Sequence, residues 1–102
     1  MDSRIIKIAE TYGYEPQALM LIEEMSELTK AICKMNRVEN RAKRGPVKAS
    51  ECEEVFENLI DEIADVQIML LQMQHIMKLP DESLKERMNK KLDRQINRIN
   101  RI

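Results

Sequence analysis

The segment from Val55 to Met77 narrows the fold more than any other part of the chain. Val55, Leu59, Ile63, Val66, Leu70, Met73 and Met77 recur at three- and four-residue spacing, which is one face of an α-helix. Between Ile63 and Leu71 the other faces are apolar too, through Ala64, Ile68, Met69 and Leu71. A helix apolar on every side belongs in an interior. A single domain of 102 residues buries only about two-thirds of the surface its unfolded chain exposes. Enclosing such a helix therefore calls for a second subunit.

The rest of the chain reads as helix as well. Aromatic residues are 3%, with Gly twice, Pro three times and Met eight times, a composition that favours helices over strands. A first helix is expected over roughly 3–11, closed by Gly13 in a left-handed cap conformation. Pro16 suits the first turn of a second helix running to about Met35. Its stripe is Ala18, Leu21, Ile22, Met25, Leu28, Ile32 and Met35, with Glu24 on the stripe's edge and Lys30 and Lys34 turned toward solvent. Residues 36–49 break the periodicity, and Asn36, Asn40 and Gly45-Pro46 are turn chemistry. Ser50-Glu51-Cys52-Glu53 reads as a capping box opening the third helix, which Pro80 should stop near Leu79. A fourth helix, about 82–101, lines up Leu84, Met88, Leu92, Ile96 and Ile99. The expected fold is all-α: one domain over 1–102, about four helices, the core pair antiparallel, completed by oligomerisation.

Net charge is −1, which fits neither a basic nucleic-acid binder nor an acidic tail, but the signs are segregated. Residues 36–48 carry Arg37, Arg41, Lys43, Arg44 and Lys48 against Glu39. Residues 49–65 carry seven acids and no base, and the tail from Asp81 has seven bases against four acids. Cys33 and Cys52 match no zinc or redox spacing. Two thiols and no apolar leader at the start MDSRIIKIAE lead us to expect a cytoplasmic protein without secretion signal or membrane span.

Both long helices carry acids at i,i+3: Glu24 with Glu27, and Glu62 with Asp65. On a charged helix such a pair is ordinarily a solvated face. Glu62 and Asp65, however, lie at and inside the apolar wrap. If the two helices pack antiparallel, all four acids converge. Two carboxylates about 5 Å apart repel by roughly 3 kcal/mol at an effective dielectric near 20, so protonation or a cation must relieve the site. An all-oxygen donor set points to a hard ion, Mg²⁺ or Mn²⁺, rather than zinc.

Glu23-Glu24-Met25-Ser26-Glu27 followed by Glu62-Ile63-Ala64-Asp65 resembles the EExxE…ExxD signature of MazG-like nucleoside triphosphate pyrophosphohydrolases, members of the all-α NTP pyrophosphatase group. The likeness extends over Gln17–Ile32, Glu62–Leu71 and Lys91-Leu92-Asp93-Arg94, within residues 12–98. The segment between Glu27 and Glu62 is longer than the family's pattern. The resemblance implies hydrolysis of an NTP or dNTP to the monophosphate and pyrophosphate, as in nucleotide-pool housecleaning, by a homodimer or homotetramer. It implies Mg²⁺ held by Glu24, Glu27, Glu62 and Asp65, with Glu27 or Glu24 orienting or deprotonating the water. Lys91 and Arg94, with Arg98 behind them, are expected to neutralise phosphates, and Arg37 is a further candidate. Tyr12, Tyr14 or Gln17 would meet the base.

Two other readings stand beside this one. A non-enzymatic helical interaction or regulatory module would share the architecture but ignore Mg²⁺. A phosphoribosyl-ATP pyrophosphohydrolase shares related acidic motifs, although the residues around Asp65 lack its features.

Overall fold

The computed structural model describes residues 1–101. Four helices follow in order: α1 (Ser3–Tyr12), α2 (Tyr14–Arg44), α3 (Ala49–Ile76) and α4 (Asp81–Asn100). The all-α expectation holds. None of these helices is long and apolar enough to cross a membrane.

α1 is started by Asp2, whose carboxylate accepts from the Arg4 backbone N–H at 2.8 Å, as N-capping acids do. Its bonds from the Arg4 side chain, then from the Arg4 backbone, hold that carboxyl down at about 2. Gly13 ends α1 and starts α2 with φ 77 and ψ −174, a conformation essentially restricted to glycine. Pro16 falls in the first turn of α2, as expected.

α2 and α3 form an antiparallel hairpin, and α1 packs on both, chiefly on α3. The direction follows from two links. Near the connection Arg41 pairs with Glu51, while farther from it Glu24 meets Glu62 and Asp65. At the open end His75 Nε2 lies 3.0 Å from Glu10 Oε1, joining α3 to α1.

Three boundaries differ from expectation. α2 does not stop near Met35 but continues to Arg44. The cause is Val38, 5% exposed, which extends the line Ala31–Met35 by one more turn. The capping box does not form: Lys48 occupies the cap position without a side-chain bond, and Ser50 lies inside the first turn. α3 ends at Ile76, ahead of Leu79. There Lys78 adopts φ 54, its N–H bonding to His75 O at 3.1 Å while Leu79 N–H bonds to Gln74 O at 3.0 Å. That pair of bonds is a Schellman ending, with Pro80 following.

The covered faces also differ from the expected stripes. On α2, Gln17, Ala31 and Val38 are buried, whereas Ile22, Met25 and Ile32 are exposed. On α3, Val66, Met69 and Gln72 are buried, whereas Ile63 and Leu70, and Met77 just past its end, are exposed. Each helix is rotated so that Glu24 and Glu62, both half-buried, lie within the packed face instead of on its border. Val66 and Met69 gain about 1.5–3 kcal/mol each on leaving water, which helps offset two acids at the same interface.

Candidate functional site

Packing of α2 on α3 brings Glu24, Glu62 and Asp65 together, one carboxylate oxygen of each lying within 4.8 Å of the others. Glu62 and Asp65 come from successive turns of α3, and Glu24 faces them from α2. Asp65 is exposed while its two neighbours are half-buried. Solvent therefore reaches the cluster from the Asp65 side.

Electrostatics at the cluster are unfavourable when it is bare. Burial, and then the negative charges of Asp65 and Glu62, raise the Glu24 carboxyl above its ordinary value of 4.5. One oxygen of Glu62, Oε2, is buried with no hydrogen-bond partner among the described residues. A buried carboxylate oxygen without a donor is costly. A small divalent cation would supply the missing positive charge, and three carboxylates suit a hard ion. The residues present therefore fit Mg²⁺ or Mn²⁺, while exposed acidic groups also occur commonly without any ion.

The fourth expected acid is not in the cluster. Glu27 is exposed and pairs with Lys30 Nζ at 3.4 Å. It lies one turn along α2 from Glu24, on the solvent side. The expected four-carboxylate set is thus three, with Glu27 beside it.

The other candidate residues are dispersed. Gln17 is fully buried, and neither of its amide atoms has a partner among the described residues. Its expected role of meeting the base is corrected for this arrangement, because no part of it is open to a nucleotide. Tyr12 and Tyr14 remain on the surface. Lys91 and Arg94 are exposed on α4, a helix that packs against neither α1, α2 nor α3. Within one chain, nothing draws them to the acids.

Lys34, read as turned toward solvent, is exposed and also borders an open cleft. This hollow of about 370 Å³ is lined by Glu54, Asn58 and Asp61 as well. Asn58 lies one turn before Glu62 on the same side of α3, while none of Glu24, Glu62 and Asp65 lines the hollow itself. The sequence signal was available: Lys34 stands on α2 opposite a run of α3 acids.

Comparison with known proteins found no matching family model, no matching curated protein and no matching solved structure.

Proposed function

We propose that the chain is a Mg²⁺-dependent nucleoside triphosphate pyrophosphohydrolase of the MazG-like kind. The observation that carries this reading is the convergence of Glu24, Glu62 and Asp65 from two helices onto one point, with the buried, unpaired Glu62 Oε2 among them.

Glu24, Glu62 and Asp65 would hold the cation, which when bound polarises phosphate oxygens as a Lewis acid. Glu27, outside the ligand set and open to solvent, would take a proton from the attacking water once it leaves Lys30. The water oxygen bonds to the α-phosphorus and the α–β anhydride bond breaks. Nucleoside monophosphate and pyrophosphate are the products. Lys34, exposed on α2, would neutralise part of the polyphosphate charge. The acids point to a cation and a polyphosphate, and the choice of the α–β bond rests on the resemblance alone.

Incubating the protein with a panel of common and modified NTPs and dNTPs, phosphoribosyl-ATP included, tests the reading. Monophosphate plus pyrophosphate, formed only with Mg²⁺ or Mn²⁺ and lost in Glu62→Gln, is the expected result. Orthophosphate alone, or no turnover of any nucleotide, overturns it. Cleavage of phosphoribosyl-ATP alone moves the protein to that narrower activity.

A further inference from the structure

We infer that Gln17 and Gln72 hold one structural water in a closed polar layer between α2 and α3, sealed by α1. The site is separate from the acidic cluster and does not depend on the function proposed above.

Both glutamines are out of place in the packed face. Gln17 is 0% exposed and Gln72 is 2% exposed, although glutamine is usually a surface residue. Gln17 Nε2, Gln17 Oε1 and Gln72 Oε1 are buried with no hydrogen-bond partner among the described residues. Unpaired buried amide atoms are costly, and folded proteins satisfy nearly all of them with protein groups or ordered water.

The helical repeat brings these atoms together. On α2 the covered residues Gln17, Leu21, Glu24, Leu28 and Ala31 follow at steps of four and three, and on α3 so do Glu62, Val66, Met69 and Met73. Such a pattern returns to the same contact geometry every seven residues. Gln17 stands seven residues before Glu24, and Gln72 stands seven after Asp65. Because the helices are antiparallel, both steps lead toward the open end of the hairpin, by about 10 Å. Gln17 therefore faces Gln72 as Glu24 faces Asp65, whose carboxylate oxygens come within 4.8 Å. Met69, 6% exposed, takes the place of Glu62 in this layer.

A cover distinguishes the two layers. Asp65 is exposed while Gln72, its counterpart, is buried. α1 is the element that packs on both α2 and α3, and α4 packs on neither. Ala9 of α1 is 0% exposed, and the next residue, Glu10, reaches His75 at 3.0 Å, three residues past Gln72.

One water satisfies all three amide atoms. It accepts from Gln17 Nε2, donates one hydrogen to Gln17 Oε1 and donates the other to Gln72 Oε1, within the two to four bonds that buried waters make. A direct bond from Gln17 Nε2 to Gln72 Oε1 would leave Gln17 Oε1 unpaired.

Two measurements test the site. A crystal structure of the wild-type protein, at a resolution that shows waters, is expected to place one water within hydrogen-bond distance of both side chains. A direct amide–amide bond, or a dry layer, overturns the inference. Thermal unfolding of Gln17→Met, Gln72→Met and the double variant supplies the energetic test. Each single variant strands a buried amide oxygen or its water, and is expected to lower Tm by about 5 °C or more. The double variant removes both partners and is expected to unfold closer to wild type than the two losses summed. Additive losses overturn the shared water. Neither measurement uses Mg²⁺ or a nucleotide, so the outcome is independent of any turnover result.

Discussion

Glu24 of α2 and Glu62 of α3 bring carboxylate oxygens within 4.8 Å of each other, inside the face along which the two helices pack. Two acids at a helix–helix contact destabilise the bare fold, and this sets the first prediction. Glu24 has its pKa raised above 4.5 in the folded chain, so the folded state holds that proton more tightly than the unfolded state does. By linkage, the metal-free protein loses stability as pH rises from 4.5 through the raised value, and keeps that contribution in full below 4.5. Glu24→Gln removes the titration. In EDTA the stability advantage of the variant over wild type should grow with pH across this window and then level off, as read by thermal unfolding. An advantage that does not change with pH refutes the cause assigned to the shift.

The acids should separate by role. Glu62→Gln is expected to lose at least 100-fold in kcat/KM together with the Mg²⁺-induced rise in Tm. Glu27→Gln, outside the ligand set and paired with Lys30, should lower kcat by about 100-fold or more while leaving the Mg²⁺ midpoint within about twofold. Equal loss of Mg²⁺ binding in both variants would return Glu27 to the ligand set.

Lys34 offers a test of the cleft. If it meets polyphosphate there, Lys34→Ala should raise KM about tenfold, roughly 1.4 kcal/mol, with kcat changed much less. An unaltered KM removes Lys34 from the site.

These effects rest on contacts that were unequally legible in the sequence. The four helices followed from periodicity, and the acidic pairs from their i,i+3 spacing and their place in an apolar run. The rotation of the helices did not follow, because apolar residues surround α3 and its most hydrophobic side need not be the side that packs within the chain. Val38 was the readable sign that α2 continues past Met35, masked by the charges around it. Nothing in the sequence marks Lys78 as a helix-ending residue, since the left-handed region ordinarily selects Gly or Asn. Burial of Gln17 was equally hidden, as glutamine is usually a surface residue.

Two turn positions make opposite predictions for stability. No atom lies within 4 Å of where a Gly13 Cβ would stand, so Gly13→Ala costs through the backbone alone, about 1–3 kcal/mol. Lys78 pays for a side chain at φ 54, and Lys78→Gly should stabilise by about 1 kcal/mol. Denaturant unfolding of both variants checks the signs. A neutral Gly13→Ala contradicts the geometry given for the α1–α2 junction.

Glu24, Glu62 and Asp65 are proposed to form one divalent-cation site together. Calorimetric titration of Mg²⁺ into metal-free wild type and Glu62→Gln tests it most directly. One saturable site per chain in wild type, absent or weakened at least tenfold in the variant, is the predicted result. Identical isotherms for the two proteins would contradict it.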